Sequence, residues 1–111
     1  MIATRLALWA PVVLWAAVIF AFSSVPNLGT GLGLWDLVLR KLAHLVEYAI
    51  LGALLYRAIA REPLAVAAGS AYAVTDEIHH AFVPGRAGSP LDWLIDTVGV
   101  VAGVLLLSRA R

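Results

Sequence analysis

Long apolar runs, separated by short polar stretches, set the pattern of this chain. The first is LALWAPVVLWAAVIFAF, residues 6–22, uncharged and preceded by Arg5. At about 1.5 Å per helical residue it falls slightly short of a ~30 Å hydrocarbon core, and Ser23, Ser24 and Val25 extend it. VPNLGTGLGLWD, residues 25–36, is rich in glycine and proline and reads as a loop. A second run, residues 40–60, carries Lys41, His44 and Glu47 in its first half and is apolar after them. Glu62 and Pro63 end it and open the next, since proline suits a first helical turn. The third run, residues 64–82, is apolar first and polar last. VPGRAG, residues 83–88, is a tight turn. The fourth run, residues 89–108, has Ser89 as N-cap and Pro90 at the first helical position. The pattern predicts one all-α membrane domain over residues 1–111. Its four transmembrane helices fall at about 5–25, 39–60, 63–82 and 89–108, in an up-down-up-down bundle.

A cleaved signal peptide is the alternative for the first run, with Arg5 as its basic region and AFS as a cleavage site. The run is longer than the usual 7–15-residue signal core, and further apolar segments follow, which favours a retained helix.

Composition strengthens the membrane reading. Hydrophobic residues make up 62% and charged residues 14%, and a small soluble domain has too much surface to hide that. The net charge of +1 gives no basic surface for nucleic acid, and the absence of cysteine excludes disulfides and thiolate metal sites. Arg5, Arg57, Arg61, Arg109 and Arg111 flank one side of the predicted bundle, and Arg40, Lys41 and Arg86 the other. The larger basic set marks the cytoplasmic side, which places both termini there.

Three predicted helices bring their ionisable groups to the opposite end. Helical spacing puts Asp92, Asp96, Gly99 and Gly103 on one face of the fourth. It aligns Gly69, Ala73, Asp76 and His80 on the third, and Lys41, His44, Tyr48 and Gly52 on the second, with Glu47 beside them. Each stripe is polar at the outer end and small further in. Small residues let helices approach closely in lipid, and charges inside a membrane usually face the bundle interior. His44, Glu47, Asp76, Glu77 and His80 are candidates for proton transfer. His44, Asp76 and His80 are candidate ligands for zinc or manganese. Lys41, Tyr48, Arg86, Ser89, Asp92 and Asp96 are candidates for holding an anionic group, arginine being suited to bidentate phosphate contacts. The blander alternatives are headgroup anchoring by Lys41 and Arg86, and dipole capping by Asp92. His79 lies about 100° from His80 and is expected to face lipid headgroups.

At these residues the chain resembles the VanZ-like family of small bacterial membrane proteins. KLAHLVEY carries the resemblance through Lys41, His44 and Tyr48. DEIHHAFVPGR carries it through Asp76, Glu77, Pro84, Gly85 and Arg86, and SPLDWLIDTVGVVAG through Ser89, Asp92, Gly99 and Gly103. The chain departs from the family pattern at His80, where glutamine is common, at Asp96, where asparagine is common, and at Arg40, where an aspartate often precedes the lysine. The first two departures make the site more ionisable. The resemblance implies a bacterial inner-membrane protein of a family named for low-level teicoplanin resistance. The expected partners are membrane lipids and an anionic, envelope or lipid-linked ligand, bound or processed at the outer leaflet. A non-enzymatic accessory protein, whose polar cluster only locks the bundle, is the alternative. Proton-coupled transport is a third, for which four short helices leave little room.

Overall fold

The computed structural model describes residues 2–23, 34–82 and 90–110. These residues form four helices, α1 (Ile2–Ser23), α2 (Leu34–Ile59), α3 (Glu62–Ala81) and α4 (Pro90–Ala110). α1 runs through Pro11 as one helix. α2 starts at Leu34, before the predicted start at 39, because the helix-breaking glycines end at Gly33 and Leu34 onward are helix-compatible. α1, α2 and α4 are long and apolar enough to cross a membrane. α3 has 20 residues, about 30 Å of helix, but is less apolar because Asp76, Glu77, His79 and His80 crowd its C-terminal end.

The bundle is apolar outside, and its largely apolar interior encloses two carboxyl side chains. Asp76 and Asp96 are buried, while Leu14 of α1, Val46 of α2, Ile78 of α3 and Leu106 of α4 are more than half exposed. Lipid gives apolar helices no hydrophobic reason to associate, so close backbone packing must supply it. The α2–α4 interface is the most extensive and is built on glycines. Gly52 abuts the Val100 backbone, Gly99 the Leu45 carbonyl, and Gly103 the Ala49 backbone. Gly69 of α3 lies against the Val100 side chain. This is the small-residue stripe expected from the spacing.

Cross-contacts give the relative directions. Lys41 meets Asp92, His44 meets Asp96 and Gly52 meets Val100, so α2 and α4 run the same way. Ser70 meets Thr97 and Glu62 meets Ser108, so α3 runs against α4. α1 leans on α2 and, less, on α3. The Trp15 indole N–H donates to the Glu47 carbonyl at 2.9 Å, and the Tyr72 hydroxyl to the Ala16 carbonyl at 2.6 Å. The ring of His79, which is partly buried, stacks on Phe20 of α1 at 4.2 Å between centroids.

Only Ala60 and Arg61 separate α2 from α3, and Ala60 has a φ of 63°. Its N–H donates to the Tyr56 carbonyl at 2.7 Å, closing the end of α2 in a left-handed cap. Glycine adopts this backbone freely, whereas an L side chain is strained by roughly 1–2 kcal/mol. Ala60→Gly is therefore expected to stabilise the protein by about 1 kcal/mol, read as a raised unfolding midpoint in detergent. An unchanged or lowered midpoint would show that the cap is unstrained.

Candidate functional site

The polar stripes of α2, α3 and α4 meet at one buried centre. His44 comes from α2, Asp76 from α3 and Asp96 from α4, and ligand atoms of all three lie within 4.8 Å of one another. Asp96 is sealed from solvent and Asp76 nearly so, at 0% and 3% exposure. Each lies well inside its helix. Asp96 is six residues past Pro90 and Asp76 five before Ala81, or about 7–9 Å of helix in each case.

Two interhelical hydrogen bonds organise the centre. His44 Nδ1 and Asp96 Oδ1 are 3.2 Å apart. The Tyr48 hydroxyl donates to Asp76 Oδ2 at 2.8 Å. Tyr48 is itself fully buried, so its phenol holds Asp76 in place from the floor of the centre. Asp96 Oδ2 is buried and has no hydrogen-bond partner among the described residues. Glu47 acts electrostatically on His44, and Glu77 on Asp96. One turn nearer the helix ends, Lys41 forms an ion pair with Asp92, and both side chains are partly exposed.

Most of the expected site residues therefore converge. His44, Tyr48, Asp76 and Asp96 form the centre, Glu47 and Glu77 border it, and Lys41 and Asp92 stand together toward the end of the bundle. Arg86, Ser89 and the side chain of His80 lie outside the described residues. The described metal-capable set contains Asp96 beside His44 and Asp76. Sequence reasoning missed the aromatic struts around the centre. Trp15 and Tyr72 tie α1 to it, and the Trp93 N–H reaches the Ser70 carbonyl at 3.2 Å. An apolar groove between α3 and α4, lined by Val66, Ser70, Thr97 and Val101, lies away from this centre, toward the Glu62 end of α3.

Chemically, the centre holds two carboxylates against one imidazole, with two further carboxylates nearby. Such a set can move a proton along His44–Asp96 or take up a cation. It attracts an anion only where a positive charge sits between.

No curated protein and no solved structure matches the chain. The model of one protein family, VanZ/LLP1, matches residues 7–111, a span that includes most of α1, all of α2, α3 and α4, and every residue of the polar centre. The chain belongs to the VanZ/LLP1 family.

Proposed function

We propose that this is a four-span, up-down-up-down protein of the bacterial inner membrane with both termini in the cytoplasm. Its polar centre, at the outer-leaflet ends of α2, α3 and α4, binds or processes an anionic envelope or lipid-linked ligand. One observation carries this reading: three helices each bring an ionisable side chain to the same place, two of them buried and His44 partly so, behind an apolar exterior. Charged side chains inside spanning helices are costly, about 2.5–3.5 kcal/mol each at the helix centre on insertion scales, and such groups as a rule mark functional sites. The exposed Leu64, Val74 and Ile78 of α3 support a fourth span, since they give that helix an apolar outer face like the others. The alternating helix directions support the topology. The five basic residues flanking the termini side support the orientation. A contribution to teicoplanin tolerance is the cellular form of the same reading.

The test is ligand retention. Protein purified in detergent and exchanged into nanodiscs containing anionic and zwitterionic lipids is examined by native mass spectrometry. Wild type is expected to retain an anionic phospholipid or lipid-linked phosphate, and Asp76→Asn to retain at least tenfold less while keeping its helix content. Turnover of the retained species, lost in Glu47→Gln, would identify an enzyme. Equal retention of both lipid classes by wild type and Asp76→Asn would sink the reading.

A structural latch is the second reading, and the interhelical pairs favour it. Lys41–Asp92, His44–Asp96 and Tyr48–Asp76 each join two helices. Interhelical hydrogen bonds in membranes average only about 0.6 kcal/mol, however, so a latch is a weak return on burying Asp76 and Asp96.

A further inference from the structure

We propose that His44, Asp76 and Asp96 form a divalent-cation site, for Mn²⁺ or Zn²⁺, with one ligand supplied by each of α2, α3 and α4. The inference rests on reading this centre as a ligand site, and it names what makes an acidic centre receptive to an anion.

Geometry is the first support. One nitrogen or oxygen from each residue lies within 4.8 Å of the other two. An ion about 2.1 Å from every donor holds those donors about 3–4 Å apart, so an inward shift of roughly an ångström at the widest pair seats it. Three helices already fixed by glycine packing supply that convergence before any ion arrives.

The second support is independent of the clustering. Asp96 Oδ2 is sealed from solvent without a hydrogen-bond partner among the described residues. A buried acceptor left in that state costs about 1–3 kcal/mol, and more when charged. The other oxygen of Asp96 already faces His44, so the orphan oxygen is the atom an ion would satisfy.

Charge is the third. As ligands, the carboxylates of Asp76 and Asp96 supply two negative charges in a water-poor interior, and the His44 imidazole supplies none. Glu47 and Glu77 deepen the negative potential. A divalent cation balances the two aspartates with His44 neutral, the form in which imidazole ligates. The Tyr48 hydroxyl on Asp76 orients that carboxylate, as outer partners of metal ligands do. One imidazole with two carboxylates suits zinc or manganese better than calcium, which takes oxygen ligands throughout. Three protein ligands leave coordination positions open, and an anionic oxygen of the ligand can occupy one. The cation then bridges two partners that would otherwise repel.

The experiment uses the full chain in detergent, stripped with chelator and titrated with Mn²⁺ alone, without lipid, with bound ion followed by electron paramagnetic resonance and displaced by Zn²⁺. One ion per chain is expected. Asp96→Asn and His44→Gln should each weaken binding at least tenfold, while His79→Gln, whose ring stacks on α1, should not. Nitrogen coupling to bound Mn²⁺ in the wild-type spectrum tests His44 without relying on the folding of any variant. Folded wild type that binds neither ion, or binds Mn²⁺ without nitrogen coupling, overturns the proposal, as does Asp96→Asn binding at wild-type affinity. Ion binding without retention of anionic lipid would leave this site standing and remove the ligand reading. Lipid retention that survives chelator, in protein that binds no ion, would do the reverse.

Discussion

Gly103→Leu is expected to separate α4 from α2 and to leave no folded bundle in detergent. Even a single added Cβ at Gly103 would run into the backbone of Ala49, with no flexible side chain to move aside. Gly52 and Gly99 make the same kind of contact higher in the interface, against the Val100 backbone and the Leu45 carbonyl. Overpacking a well-filled interior costs typically 1–3 kcal/mol and occasionally more, and a clash with backbone belongs above about 3 kcal/mol. The described interhelical hydrogen bonds, at about 0.6 kcal/mol each, are too weak to hold the helices at the old spacing. The polar centre goes with the interface, because Asp96 lies two turns from Gly103 on the same face. The measurement is the size-exclusion profile and thermal midpoint of the purified protein. Leu106→Ala serves as comparison, since Leu106 is 71% exposed on the outer face of α4, and it should behave as wild type. A Gly103→Leu protein that elutes and melts like wild type would mean that α2 and α4 do not touch there.

That glycine face was legible because composition and periodicity agreed. Asp96, Gly99 and Gly103 share one face of α4 by spacing alone, and the structure buries all three. Gly52, Tyr48 and His44 follow on α2, and Asp76, Ala73 and Gly69 on α3. Against a uniformly apolar chain, each small or polar residue stands out, so its phase can be read. Residues of α1 offer no such contrast, being apolar all round. The docking of α1 uses backbone carbonyls at Ala16 and Glu47, which carry no mark in a sequence. Its stacking of Phe20 on His79 was hidden because an aromatic residue in an apolar run does not show which way it faces. Partner choice within the centre was equally hidden. Spacing puts His44, Tyr48, Asp76 and Asp96 together, but whether Tyr48 meets Asp76 or an incoming ligand depends on helix rotations of a few tens of degrees, which periodicity does not resolve. The early start of α2 was masked by a glycine-rich run that ends three residues before Asp36.

Replacing both members of the His44–Asp96 pair by apolar residues is expected to leave the fold intact and abolish function. The two single changes should differ from each other. His44→Leu leaves Asp96 buried beside Asp76 without its imidazole, and breaking a buried pair in this way costs about 3–5 kcal/mol. Asp96→Val leaves a partly exposed imidazole rather than a sealed carboxyl group, so its cost should sit at or below the lower end of that range. The double variant removes both desolvated groups at once. Buried ion pairs replaced by packed apolar residues are often neutral or stabilising by about 1–4 kcal/mol, so the double variant should recover most of what His44→Leu loses. Strong non-additivity in the thermal midpoints is therefore the signature of a coupled pair, and additive losses would show that the two side chains do not interact. Function separates the two readings of the centre. A latch exists for stability, so a double variant as stable as wild type would retain whatever the protein does. A ligand site needs the groups themselves, so all three variants would lose anionic-lipid retention whatever their stability. The outcome expected here is a stable double variant that retains none, because burying ionisable groups in a membrane protein brings too little stability to explain their presence.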